Sequence, residues 1–175
     1  NIKTEVAVKQ HQNFVQSMRS HGVEVITIPS HEEFPEQVFT RDIGFTIENH
    51  TFVTEMASKI RKGEELVLEK FLDTNHVPYH NISKHPIEGG DVIIDGSTVF
   101  VGLSDRTCKE AIVKLQQHLP LHQVIPIPFN PKYLHLDCVF NILSPTDALI
   151  FPHALSPDMV ASLSKRYNLI EVTKE

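Results

Sequence analysis

Residues 91–102 read DVIIDGSTVFVG: an apolar run from Val92, a polar turn Asp95-Gly96-Ser97, and a second apolar run ending at Val101. Two such runs across a short Asp-Gly turn predict a β-hairpin. The pattern recurs 49 residues upstream in residues 42–55, DIGFTIENHTFVTE, and 46 residues downstream in 137–151, DCVFNILSPTDALIF. Each copy opens on an aspartate (Asp42, Asp91, Asp137) and turns over polar residues, Glu48-Asn49-His50 in the first and Ser144-Pro145-Thr146 in the third. A helical stretch follows each hairpin, Arg61–Leu72, Arg106–His118 and Ser156–Tyr167, and then another strand, Val77–Ile82, His122–Ile127 and Leu169–Val172. Upstream of the first hairpin, an amphipathic helix stopped at His21-Gly22 and a strand Val23–Ile28 repeat only the second half of this pattern. The chain is thus expected to form an α/β fold of ββαβ units over about 42–83, 91–128 and 137–173, with a half unit over 1–30. Periods of this length belong to repeat and propeller architectures, whose units bury their faces against one another. An α+β sandwich with alternating elements is the alternative.

Composition bounds the function. The 175 residues carry 16 Lys+Arg against 22 Asp+Glu, a formal charge of −6, with 41% hydrophobic residues. The acidic balance argues against a nucleic-acid groove. No apolar run approaches the roughly 20 residues of a membrane helix. Cys108 and Cys138 are too few for a disulfide scaffold, so a cytoplasmic protein is expected. The chain starts at Asn1 and stops close behind a strand, without polar tails. A fragment of a single larger domain is therefore expected, its open edges inviting a second copy or a companion fragment.

Polar residues gather where the units begin: Phe39-Thr40-Arg41-Asp42, Glu88-Gly89-Gly90-Asp91 and His135-Leu136-Asp137, with Ser104-Asp105-Arg106-Thr107 opening the second unit's helix. In a radial arrangement Asp42, Glu88, His135 and Asp137 would share one pocket. Carboxylates brought together repel unless a cation sits among them. A metal is the weaker choice: eleven histidines include no HExxH, and Pro78 and Pro120 interrupt the His76/His80 and His118/His122 pairs. A guanidinium fits better, being planar, permanently charged and edged with paired N–H donors.

The motifs FTRD, EGGD, GLSDRT and HLDxxF, in this order, resemble those of the guanidine-modifying superfamily of pentein fold, which holds arginine deiminases, dimethylarginine dimethylaminohydrolases and amidinotransferases. The resemblance implies a five-unit α/β propeller, of which about three and a half units are present. It implies that Asp42 and Asp137 bind the substrate guanidinium, that Glu88 orients His135, and that His135 is the general acid/base. Arg106 would bind the substrate's carboxylate. Phe39 would wall the pocket or merely pack, Arg41 would pair with the carboxylates, and Asp91 would be a turn residue. Alternate residues of a strand share a face, so His135 and Asp137 are expected to point the same way while Leu136 and Cys138 point into packing.

The resemblance further implies a nucleophilic cysteine in a final unit. Cys138 is expected to face away, and Cys108 to be a small core or helix-surface thiol. Thr54-Glu55-Met56 stands where several arginine-using members carry another arginine, so the guanidinium is a firmer expectation than an α-amino-acid substrate. Hydrolysis of a linear guanidine or amidine without cofactor or metal is the leading reading. An amidinotransferase and a non-catalytic guanidine or amino-acid binder are the alternatives, with a metal hydrolase a distant fourth.

Overall fold

A computed structural model describes residues 2–82 and 84–173. Helix α1 (Thr4–Ser20) comes first, followed by three ββαβ units. The first holds β1 (Gly44–Ile47), β2 (His50–Val53), α2 (Glu64–Thr74) and β3 (His80–Asn81). The second holds β4 (Val92–Asp95), β5 (Thr98–Leu103), α3 (Lys109–His118) and β6 (Gln123–Pro128). The third holds β7 (Phe140–Ile142), β8 (Asp147–Ile150), α4 (Pro157–Leu163) and β9 (Asn168–Glu171).

In every unit the first two strands pair antiparallel and the third pairs parallel with the second, giving three separate three-stranded sheets. The topology has a simple cause. A tight turn can reverse the chain, as at Gly96 with φ 53°, but a parallel neighbour needs a crossover, which the helix supplies. Helix α4 starts where its sequence says it should: Ser156 Oγ accepts the Met159 N–H at 3.2 Å, and Pro157 occupies the first turn.

The middle sheet is a shared wall. Val92, Val99 and Val101 face a core with Phe45, Ile47 and Phe52 of the first unit. The alternate residues Ile93 and Phe100 face a second core with Phe140, Ile150 and Tyr167 of the third. The period-2 pattern of one hairpin thus serves two cores, and each fully buried large side chain contributes about 1.5–3 kcal/mol. The third unit is also latched to the second by polar contacts: Tyr167 Oη donates to Asp95 Oδ2 at 2.5 Å, and Arg166 donates to Thr98 and Gln123 at 3.1 Å each.

One feature differs from expectation. Among the described residues no strand forms over Val23–Ile28, because no neighbouring strand offers it a ladder; α1 itself buries only Val15. No closed ring of sheets is seen among the described residues, whose sheets stand as three separate sets. His50, His80 and His118 form a stack where the first unit meets α3. His50 Nδ1 lies 3.0 Å from His80 Nε2, and the His80 and His118 rings are 4.6 Å apart, with Phe52 behind both.

Candidate active site

The segments that open the units converge. Asp42, Glu88 and His135 are 7%, 0% and 5% exposed, and one ligand atom from each lies within 4.8 Å of the others. His135 Nε2 meets Glu88 Oε2 at 2.8 Å. A carboxylate only accepts, so Nε2 carries the proton and Nδ1 faces Asp42 Oδ1, 3.9 Å away. Gly90 makes this approach possible, since a Cβ there would stand 2.6 Å from His135 Nδ1.

The charges of the cluster support one another. Burial drives the His135 pKa down, but the hydrogen bond to Glu88 and the charges of Asp42, Asp91 and Glu88 outweigh it and leave the pKa raised. Burial drives Glu88 up, but the His135 hydrogen bond, the nearby Arg106 and His135 charges and the Ala57 N–H overcome it, and its pKa is lowered. Arg106 Nη1 lies 3.6 Å from Glu88 Oε1, and its side chain is 29% exposed. Arg106 sits in the loop before α3, which begins at Lys109 rather than at Arg106.

A second arginine organises the floor. Arg61 is 3% exposed; its Nη1 donates to Asp42 Oδ2 at 2.7 Å, and its Nε and Nη2 donate to Glu64 Oε2 at 3.0 and 2.8 Å. Nη2 also donates to the Phe39 carbonyl at 3.2 Å, and the half-exposed Phe39 ring lies 5.7 Å from the guanidinium. Phe39 thus covers Arg61 at the surface. Burial alone would lower the Arg61 pKa, and the Glu64 and Asp42 carboxylates raise it. The sequence reading placed Arg61 inside a helix and gave it no role. The one signal for it was Glu64 three residues on, a spacing that brings side chains together only where the chain turns helically.

The segment carrying His135 departs from the expected strand. Leu136–Cys138 is a 3-10 turn, so period-2 alternation does not apply. Leu136 is fully buried, while Cys138 is exposed rather than packed, its Sγ 3.7 Å from Asp137 Oδ1. Asp137 is partly exposed and faces Arg41, whose Nε lies 3.7 Å from its Oδ2; Arg41 Nη2 also donates to the Val92 carbonyl at 2.9 Å. Cys108 caps α3, half-buried against the first core. Asp91 ends the 3-10 turn Gly89–Asp91 that leads into β4, and there it is fully buried and accepts three hydrogen bonds.

The spacing of Asp42, Glu88 and His135 would admit a cation, yet Arg61 already holds Asp42 Oδ2 and His135 holds Glu88 Oε2. The donor set therefore reads as a hydrogen-bonded array with protein cations at its edges. Two surface cavities, of about 500 and 300 Å³, are lined by other residues; the smaller includes Cys138 and Tyr133. Among the described residues, no helix is long and apolar enough to cross a membrane.

A family model for N,N dimethylarginine dimethylhydrolase, eukaryotic, matches residues 1–175. YkgA of Bacillus subtilis (strain 168) is 46% identical over 175 residues, which is 100% of this chain and 61% of YkgA. An arginine deiminase of Bacillus cytotoxicus is 27% identical over 203 residues, 99% of this chain and 48% of that enzyme. The DDAH of Pseudomonas aeruginosa, as a mutant complexed with citrulline, shares the fold with a TM-score of 0.84 at 22% identity, over 98% of this chain and 67% of that one. The substrate-bound N-terminal domain of ArgZ, a cyanobacterial arginine dihydrolase, gives 0.88 at 22% identity, over 98% and 66%. The chain spans 61% and 48% of the two sequence relatives' lengths. Matched across all 175 residues, it belongs to the N,N dimethylarginine dimethylhydrolase family, within the guanidine-modifying pentein superfamily.

Proposed function

We propose that the intact protein hydrolyses a C–N bond of a linear guanidine, arginine or a methylated arginine, through a cysteine-linked amidino intermediate. The observation that carries this reading is the buried triad of Asp42, Glu88 and His135, with His135 held on Glu88 by Nε2 and turned to Asp42 by Nδ1. Arg61 leaves Asp42 one oxygen, Oδ1, for one edge of the substrate guanidinium. Asp137 takes the other edge. It already faces a guanidinium, that of Arg41, in a loose and partly exposed pair that an incoming substrate can replace. Arg106 receives the substrate's carboxylate.

The proposed nucleophile is a cysteine thiolate of a following unit of the intact protein, as the family resemblance implies. Cys138 is not assigned that role; it is exposed, with its Sγ 3.7 Å from Asp137 Oδ1. The thiolate attacks the guanidinium carbon, and His135 donates its Nδ1 proton to the departing amine. His135 then takes a proton from water as the water attacks the amidino-cysteine, releasing a ureido product and the thiolate.

The test is product analysis with the intact protein on arginine and on dimethylarginine. A ureido product with ammonia or an amine is expected. A new guanidine formed from an added amine identifies a transferase, and binding without consumption identifies a binding module. His135→Ala should retain guanidine binding and lose product; turnover unchanged in that variant refutes the role given to His135.

A further inference from the structure

We propose that Asp91 is the positioning residue of this site: one buried, ionised carboxylate that fixes the three segments carrying Glu88, Arg106 and His135 and supplies the charge behind His135. The inference rests on the function proposed above and adds to it a residue that touches no substrate.

Its ionisation follows from hydrogen-bond accounting. Ser104 Oγ accepts the N–H groups of Arg106 and Thr107 at 3.0 and 3.1 Å, so its own hydrogen points to Asp91 Oδ2 at 2.7 Å. Thr107 Oγ1 accepts the Glu88 N–H at 3.2 Å and donates to Asp91 Oδ2 at 2.6 Å, the oxygen that already receives the Ser104 hydrogen. The Leu136 N–H donates to Asp91 Oδ1 at 2.8 Å. Three donors converge on a side chain with no solvent exposure, and only the acceptor-only carboxylate can receive them without losing an acceptor site to a proton. Packing is tight on the remaining side, where a Cβ on Gly102 would come within 2.5 Å of Oδ1.

Each hydrogen bond leads to one functional segment. Through Thr107 the carboxylate holds the Glu88 backbone; through Ser104 it shapes the loop that aims Arg106; through Leu136 it anchors the residue after His135. Burial pushes the Asp91 pKa up against the hydrogen bonds from Thr107, Ser104 and Leu136, and the Asp91 charge in turn helps to raise His135. A purely architectural residue would need the shape of Asp91 but not its charge.

Asp91→Asn separates the two. The amide keeps the shape and, with its oxygen toward Leu136, that contact; its nitrogen faces the two hydroxyls, where Thr107 Oγ1 keeps a lone pair to accept from it while Ser104 Oγ does not, and the charge is gone. In the intact protein, the His135 imidazole titration followed by NMR should move to lower pH in Asp91→Asn. The limb of the kcat profile that reports His135 should move with it, KM staying within about threefold because the substrate-facing groups remain. An unchanged His135 titration in a folded variant overturns the proposal. Should the variant not fold, the Asp91 carboxyl carbon shift in the unaltered protein decides: an ionised carboxylate at pH 7 is expected, and a neutral one overturns it. Both NMR readings are independent of turnover. A normal Asp91 effect on His135 in a protein that consumes no guanidine would therefore sink the proposed function and leave this inference standing.

Discussion

Arg61→Met is the substitution whose cost the structure specifies best. The methionine fills much of the same volume but removes a guanidinium with three hydrogen-bonded oxygen partners and two further carboxylates nearby, Glu36 at 3.6 Å and Glu88 at 4.0 Å. Glu64 is the side chain most affected. It has no exposure, its Oε1 has no hydrogen-bond partner, and Oε2 depends on Arg61. Removing one partner of a buried ion pair costs about 3–5 kcal/mol, because the other charge is left buried. We expect a loss of about that size for Arg61→Met in equilibrium urea unfolding of the intact protein at pH 7. The deficit should shrink in acid, where a stranded carboxylate takes up a proton and loses the charge that burial penalises. The double variant Arg61→Met with Glu64→Met should recover part of the loss, since only Asp42 then remains uncompensated. A single-variant loss below about 1 kcal/mol, the range of exposed ion pairs, refutes the argument that Arg61 neutralises the floor of the site.

Two other perturbations test separate parts of the structure. Gly90→Ala puts a methyl 2.6 Å from His135 Nδ1 and 3.1 Å from Asp42 Oδ1. It should lower kcat about 100-fold, the contribution of a well-placed general acid/base, and cost about 1–3 kcal/mol in urea unfolding as an overpacked buried site; kcat within threefold of the parent counts against the geometry. The histidine stack predicts a pH effect on stability. Burial and then the charges of His80, Lys114 and His50 hold the His118 pKa below its ordinary value. A lowered folded pKa means the unfolded chain binds more protons, so this group costs stability as pH falls below about 6.5. His118→Gln should make stability fall less steeply between pH 6.5 and 5 than in the parent; an identical slope refutes it.

The hairpins were legible because their information is local. In 91–102 alternation, a Gly turn and β-branched residues all agree, and the structure pairs Val92 with Val101 and Asp95 with Thr98. The helices were legible as stretches but not at their starts: Arg61–Gly63 and Arg106–Cys108 stay outside α2 and α3, because their polar groups are engaged by partners from other segments. The convergence of Asp42, Glu88 and His135 followed from their common place in the repeat. What the sequence could not display was direction within a three-residue turn. Leu136–Cys138 reads equally well as strand or 3-10, and only the anchoring of the Leu136 N–H on Asp91 decides it. Asp91 was missed because its partners lie 13 to 45 residues away, and Arg61 because its link to Asp42 spans 19 residues, the nearby Glu64 giving no hint of that link.

The placement of Arg61 bears on the order in which the site is made. Asp42 leaves the ribosome 93 residues ahead of His135, a delay of roughly 5–20 s at ordinary rates of synthesis. Glu88 must await both Arg106 and His135, but Asp42 and Glu64 find their counter-ion within their own unit, only 19 and 3 residues away. The first unit therefore emerges with its acidic floor already neutralised and can pack before the histidine arrives. A nascent chain carrying Arg61→Met would instead hold unpaired carboxylates through that interval, and its defect would appear in the yield of folded protein before it appeared in any rate.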